Sequence, residues 1–399
     1  MKKDSILRDK NLYILFAVSM MGLLSVASIA PAFPRMMQAM NLTTAQIGLI
    51  VTSFSLPSAI LAPIFGILAD RYGRRIVLTF CLFLFGISGF ACGFVNNFGV
   101  LLVLRAFQGI GSSAFATVSI TLIADIYKGQ KLAEALGYNS MVISISVAIY
   151  PTIGGALAML DWHYPFLLPI LAIPVGLAVL FMMDYTEPKK SESLRDYLSG
   201  TWQCLKDVRL LGFFGTCVIS FLLLYGAFIT YFPLLMAERF NASPFIIGLV
   251  TSLGSLSMAV SSSQAGRFFK YFSAGAMLKM GFVGFAAGAL MVPFVSSMLF
   301  ILIPGIVVNF GMGIIIPCIH ASVSQKAPPE YRGAVMSLNS SAIRVGQTVG
   351  PPVMALPYSI GSFNAVYFAA AALSLLMLVI AVVSGWFLKN NAGNGGSAG

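Results

Sequence analysis

The sequence predicts an all-α integral membrane protein: twelve transmembrane helices arranged as two six-helix pseudo-repeats. Three observations carry this reading. Of 399 residues 58% are hydrophobic and only 9% charged, and the mean hydropathy is +0.90, outside the range of water-soluble domains. Apolar runs long enough to cross roughly 30 Å of hydrocarbon, about 20 residues each, fill most of the chain, and helix is the open-ended backbone form that lipid tolerates. They are twice the length of the alternating segments, about 10 residues long, that a β-barrel would need. The two halves also match at an offset of 200: Ile47-Gly48-Leu49 with Ile247-Gly248-Leu249, Gly66 with Gly266, Gly111 with Gly311, Asn139-Ser140 with Asn339-Ser340, and Pro151 with Pro351. A parallel repeat of this kind implies two bundles related by an axis along the membrane normal, with a solute path between them.

Breaks of charge and turn residues place the spans near 12–34, 45–68, 76–95, 98–124, 132–158, 164–184, 210–236, 244–267, 274–296, 298–322, 331–356 and 362–388. The expected domains are an N-terminal bundle 1–184, a linker 185–209, a C-terminal bundle 210–390 and a flexible tail 391–399. Within the linker Leu194, Leu198, Thr201 and Leu205 fall at helical spacing, which fits either a short helix on the membrane surface or a solvated loop. The charged N-terminus runs into an apolar stretch without a small-residue cleavage site, so it reads as an uncleaved first span.

The excess of 24 Lys+Arg over 13 Asp+Glu, a net +11, would suggest nucleic acid in a soluble protein, but here it describes topology. With the N-terminus in the cytoplasm, the basic residues gather on that side, and the opposite loops hold only Arg35 and Arg239. The positive-inside rule then puts both termini in the cytoplasm of a multi-pass protein of the cytoplasmic membrane. Cys81, Cys92, Cys204, Cys217 and Cys318 show no CxxC or metal-ligand spacing. No phosphate-cradling glycine loop of the G-x-x-x-x-G-K-S/T kind is present, so ATP is not expected as an energy source. An integral-membrane enzyme or a receptor would need a catalytic His/Glu cluster or a large soluble domain, and neither is visible.

The loop between the second and third spans reads Gly66-Ile67-Leu68-Ala69-Asp70-Arg71-Tyr72-Gly73-Arg74-Arg75. It resembles the G-x-L-A-D-R-x-G-R-R signature of the major facilitator superfamily. Gly66 would let another helix approach closely, Gly73 would permit a tight turn, and Asp70, with Arg71 and Arg74, could latch one conformation. Candidate partners of Asp70 are Arg74 and Tyr331-Arg332-Gly333, with Glu134 able to join. The second copy has Lys270 where Asp70 stands, so the latch is asymmetric.

Span four carries Arg105-Ala106-Phe107-Gln108-Gly109-Ile110-Gly111, similar to the superfamily's R-x-x-Q-G-x-G motif. The resemblance associates Arg105, Gln108 and Gly109 with proton coupling; an arginine bonding carbonyls to fix the bundle is the structural alternative. Burying such a group costs a few kcal/mol or more, so it argues for a task. Tyr150-Pro151-Thr152-Ile153-Gly154-Gly155 is similar to the P-x-x-G-G end of the exporters' motif, although Ser146 and Tyr150 occupy its glycine positions; Gly346-Gln347-Thr348-Val349-Gly350-Pro351 offers the glycine pattern in span eleven. Pro151, Gly154, Gly155, Gly346, Gly350 and Pro351 are thus candidates for a hinge or gate.

Arg105 and Arg344 lie within spans, whereas no acid falls in the middle of any, and span one has Ser25 and Ser28 where related exporters of cations often carry a carboxylate. This favours a neutral or anionic amphipathic solute. By resemblance, the solute site draws on Asn139, Tyr150, Tyr231, Asn309, Asn339, Arg344 and Gln347, with Gln108 and Tyr225 close by in the cavity-lining spans; each could equally be interhelical glue. The two histidines, His163 in a loop beside Asp161 and His320 in span ten, could titrate near neutral pH. The whole implies a monomeric secondary transporter working by alternating access, embedded in a lipid bilayer, with a small-molecule substrate, no nucleic-acid partner, no cofactor and no metal. Proton-coupled efflux, as in drug:proton antiporters, is the leading expectation. An uptake carrier for an organic anion or sugar has the same architecture.

Overall fold

The computed structural model describes residues 6–185, 207–327 and 332–383. The described residues contain helices and turns and no strand. The spans are α1 Lys10–Ala39, α2 Thr44–Tyr72, α3 Arg74–Cys92, α4 Phe98–Ile126, α5 Gly129–Leu160, α6 Tyr164–Phe181, α7 Arg209–Phe240, α8 Pro244–Ser263, α9 Ala274–Phe294 and α10 Leu302–Lys326, followed by a stretch Val335–Val382 of 48 residues. At 1.5 Å per residue that stretch would be about twice as long as the hydrocarbon is thick. It is broken where Gly361 (φ −146°, ψ 26°) and Ser362 (φ 58°, ψ −158°) leave helical geometry. The break makes α11 332–360 and α12 363–383, so the described residues hold twelve spans, as the sequence predicts. The linker segment expected to be a surface helix or a loop, and the tail, lie outside the described residues.

Local chemistry explains the boundaries. Thr43 and Gln46 cap α2 reciprocally, Gln46 N–H to Thr43 Oγ1 at 3.3 Å and Thr43 N–H to Gln46 Oε1 at 2.8 Å. Gly73 (φ 104°) alone connects α2 to α3, a conformation other residues rarely adopt. α1 runs five residues past its expected end at 34, because Pro31 and Pro34 remove two donors without ending the helix: a 3₁₀ turn, Ala30–Ala32, carries the chain into Phe33–Ala39.

The described chain forms two compact units, Met1–Ser193 with Ala237–Ser252, and Leu194–Met236 with Leu253–Gly399. In the first, α5 meets the opening turns of α8 at backbone distance: a Cβ on Gly248 would stand 2.2 Å from the Pro151 carbonyl, and one on Gly155 2.3 Å from that of Pro244. Thr152 and Ser252 share a hydroxyl hydrogen bond of 2.7 Å beside them.

The sequence repeat is a repeat of packing. A Cβ on Gly111 would stand 2.5 Å from Phe85 N and 2.8 Å from Cys81 O; on Gly311 it would stand 2.6 Å from Gly281 O and 3.1 Å from Phe285 N. Every partner has moved by 200 positions. Asn41 (φ 53°) and Asn241 (φ 49°), also 200 apart, turn the chain identically after α1 and α7. Gly66 departs from expectation: a Cβ there would meet only Thr117 Cγ2, at an ordinary 3.9 Å, so no close approach depends on it.

At the other end of this unit a loop cluster joins Asp161, His163 and Asn96. His163 Nδ1 lies 2.5 Å from Asp161 Oδ1 and Nε2 lies 3.0 Å from Asn96 Oδ1. The backbone N–H of His163, then its ring and Arg35, hold the Asp161 carboxyl below the usual carboxylate range.

Two outcomes follow for the purified protein in detergent. Gly111→Val should lower stability by about 1–3 kcal/mol, read as a fall in thermal-unfolding temperature, while Gly66→Ala should leave that temperature unchanged. Because Asp161 is more acidic folded than unfolded, its contribution is present above about pH 4 and lost as pH falls through its lowered pKa. Asp161→Asn should therefore reduce stability at neutral pH and converge with wild type in acid.

Candidate functional site

In lipid a buried polar atom has no water to bond, so its partners must come from the protein. Arg105 on α4 is only 1% exposed. Its Nη1 donates to Ser25 Oγ at 2.7 Å, to the Ser25 carbonyl at 3.3 Å and to Gln108 Oε1 at 2.7 Å. Nε donates to the Ile50 carbonyl at 3.3 Å, and the guanidinium sits 4.6 Å from the centroid of the Phe54 ring. One cation thus ties α1, α2 and α4 together through neutral acceptors, with no described carboxylate among its partners. Gln108 stands on the same face as the i, i+3 spacing requires. Its Nε2 is buried without a hydrogen-bond partner and lies 2.4 Å from where a Cβ on Gly89 would be. Gly109 allows the α2 backbone in: a Cβ there would be 2.0 Å from Phe54 O.

The signature loop forms a charge cluster at the junction of α2 and α3. Arg74 Nη2 and Nε lie 3.0 and 3.1 Å from Asp70 Oδ1, and Nη1 binds Asp125 Oδ2 at the end of α4. Tyr185 donates its hydroxyl to the same Asp125 oxygen at 2.6 Å. Arg74 is 14% exposed, Asp125 27% and Asp70 66%, so the inner pair is the better shielded. Arg75 donates to the carbonyls of Val179 and Leu180 at the end of α6, a favourable place for a cation. Arg71 and Glu134 are exposed, and Glu134 makes none of these bonds. Tyr331 and the side chain of Arg332 lie outside the described residues. Beside the cluster Lys10 pairs with Asp184 at 2.8 Å, Asn11 exchanges two hydrogen bonds with the Asp184 backbone, and Tyr127 donates to Asp9 at 2.7 Å.

The glycines expected at a gate are sites of backbone contact. A Cβ on Gly154 would come 1.7 Å from Ser28 O, and Gly155 and Pro151 meet α8 as described. In the second unit, a Cβ on Gly346 would be 2.3 Å from Val218 O and one on Gly350 2.6 Å from Leu222 O, so α11 lies directly against α7. Pro351 is buried in the same stretch. Opposite them α7 changes pitch: Leu224–Tyr231 is a π-helix, a geometry common at functional sites. Thr230 Oγ1 donates to Tyr225 O, five residues back, at 2.8 Å.

The proposed solute residues occupy several separate environments. Tyr231 is fully buried, its hydroxyl has no partner, and its ring packs 5.4 Å from that of Tyr358. Arg344 is half-buried on α11 within electrostatic reach of Tyr225, with Gln347 one turn on. Asn309 donates to Gly305 O at 2.8 Å within α10, close to Gly254 of α8. Asn139 and Asn339, equivalent in the repeat, are both buried with an unpartnered Oδ1. Tyr150, 6% exposed, belongs to the packed face of α5. The sequence reading missed Asp125 and Tyr185. The signal available was a single acid ending α4 opposite a loop rich in arginine.

The matches to known proteins span nearly the whole chain. The family model described as "Major Facilitator Superfamily" matches residues 15–235 and 214–399. The quinolone resistance protein NorA of Staphylococcus aureus is 26% identical over 382 residues, 94% of this chain and 96% of that protein. Multidrug resistance protein 1 of Bacillus subtilis is 26% identical over 373 residues, 92% of this chain and 95% of that one. Among solved structures, the nucleoside transporter NupG superposes with a TM-score of 0.77 at 12% identity, covering 94% of this chain and 99% of that one. The twelve-span fold, the signature loop and these matches agree, and the chain belongs to the Major Facilitator Superfamily, whose members are transporters and not enzymes.

Proposed function

We propose that this membrane transporter is a proton-coupled exporter of small amphipathic compounds, neutral or anionic, working by alternating access in the cytoplasmic membrane with both termini inside. Full-length similarity to two drug-resistance proteins is the observation that carries the direction. The charge of the solute rests on the chain itself: Arg105 and Arg344 stand within spans that hold no mid-span acid. Arg105 is committed to Ser25, Gln108 and carbonyls, so its role is to hold α1, α2 and α4 in register while the proton is exchanged. Arg344, with Tyr225, Asn309, Asn339 and Gln347, is assigned to the solute's polar or charged groups, and Asn139, Tyr150 and Tyr231 to its neutral part. The glycine and proline contacts of α5 and α11 form the gate, and Asp70, Arg71 and Arg74 belong to a conformational latch that pivots on Gly73.

A second reading, uptake of an organic anion or sugar, is favoured by one observation: Ser146 and Tyr150 stand where the exporters' motif has glycine. Everted membrane vesicles separate the two. Export expects norfloxacin, a carboxylate-bearing quinolone, to accumulate on energisation and leave on addition of a protonophore. Accumulation confined to right-side-out vesicles would favour import.

Arg344→Ala should weaken norfloxacin binding about tenfold, since a charge-assisted hydrogen bond contributes about 1.5–3 kcal/mol; unchanged affinity by calorimetry would remove Arg344 from the solute site. For the latch, exposed pairs contribute about 0–1 kcal/mol, and Arg74 holds the shielded acid as well as the exposed one. Arg74→Gln should therefore slow turnover more than Asp70→Asn while both keep wild-type binding. Loss of binding in step with turnover would make the cluster structural.

A further inference from the structure

Proton coupling needs a group that titrates near neutral pH inside the membrane body, and the spans offer no mid-span acid for it. His320 on α10 is half-buried, six residues before the helix ends at Lys326. Its Nδ1 lies 3.2 Å from Asn339 Nδ2 on α11, and Asn339 is 0% exposed. The contact is formed with the amide nitrogen donating, which suits a neutral ring whose Nδ1 accepts. It leaves Asn339 Oδ1 buried with no partner, a cost of about 1–3 kcal/mol. Turning the amide over presents Oδ1 to a protonated Nδ1–H and places Nδ2 where the orphaned oxygen stood. The pair therefore has two self-consistent arrangements, one for each protonation state of the ring. The first repeat has the same orphaned oxygen on Asn139 but Ile120 at the position of His320, so the orphaned oxygen is common to both repeats and the histidine contact belongs to the second alone.

The surroundings suit release as well as uptake. The charged groups on elements packed against α10 are Arg209 on α7, Lys279 on α9, Arg267 and Lys270 on the short helix Ala265–Tyr271, and Arg344 and Arg332 on α11, with Lys326 on α10 itself. The acids adjoining them are Asp207, which caps Arg209 N–H at 2.8 Å, and Glu238 at the far end of α7. The remaining titratable groups are the Cys217 and Cys318 thiols and the phenols of Tyr225, Tyr231, Tyr271 and Tyr358. No described carboxylate pairs with His320, so Asn339 is the side chain that holds a proton there against a basic field.

We infer that His320 and Asn339 form the proton-binding site through which this transporter exchanges solute against protons. The inference rests on the proton-coupled reading above. In everted vesicles from wild type and His320→Gln, norfloxacin is followed under an imposed pH gradient and, separately, in gradient-free counterflow. The expected result is that His320→Gln loses gradient-driven accumulation at least tenfold and keeps counterflow. Equal accumulation in both proteins overturns the site and leaves the coupled reading standing. Counterflow without gradient-driven accumulation in wild type overturns the coupled reading, and the site with it. A substrate-free readout guards against misfolding: in a His163→Gln background His320 is the one remaining histidine, and its ¹⁵N resonances should titrate between pH 5 and 8, with the midpoint displaced in Asn339→Leu. A ring that stays neutral throughout, or a midpoint indifferent to Asn339, contradicts the proposal.

Discussion

Inside hydrocarbon a polar atom is bonded to the protein or left with nothing, and the arrangement around Arg105 is the clearest consequence. An unpaired arginine at mid-span costs about 2.5–3.5 kcal/mol even on the gentlest scale. Here the guanidinium is met by a serine hydroxyl, a glutamine oxygen, two main-chain carbonyls and an aromatic face. Because these come from three helices, the charge specifies how α1, α2 and α4 sit together. Truncating it would strand several acceptors at once, so the arginine works as a fastener whatever else it does in transport.

The second constraint is steric. Helices in lipid gain nothing from hiding apolar surface from one another and associate by close packing, which small residues permit. Gly109, Gly111, Gly154 and Gly311 are positions where a methyl group would collide with a facing backbone. The same contact reappears at Gly111 and Gly311 with partners shifted by a constant interval, so the duplication preserved a geometry and not only a pattern of hydropathy. The π-helix in α7 has no counterpart among the described residues of the first unit, and Gly346 and Gly350 of α11 lie against α7 at positions where the first repeat has Ser146 and Tyr150. The halves therefore share a scaffold and differ where chemistry is placed: Asp70 against Lys270, Ile120 against His320.

Span number, repeat and loop signature were legible because each rests on a strong local signal: run length, a fixed interval, or charge and glycine in one short stretch. The break between α11 and α12 was legible too, since a single helix of that length cannot fit the bilayer. Side-chain pairings were legible only where both members lay close in sequence, as with Arg105 and Gln108 on one helix face or Asp70 and Arg74 across the Gly73 turn. Asp125 and Tyr185 joined the Arg74 cluster from 51 and 111 positions away, and no spacing rule reaches that far. Gly66 failed for the opposite reason: glycine in a motif suggested close contact, but whether a neighbour arrives is decided by the tertiary packing. His320 and Asn339 were each visible in the sequence, and their meeting was not.

The central claim is that solute and protons move in opposite directions through one carrier. Proteoliposomes holding a trapped pH-sensitive dye test it directly, with norfloxacin applied on one side and no pH gradient imposed. The account expects the lumen to lose protons as norfloxacin enters, and the change to vanish without the protein. Norfloxacin flux at constant lumenal pH, or protons travelling with the drug, would contradict it.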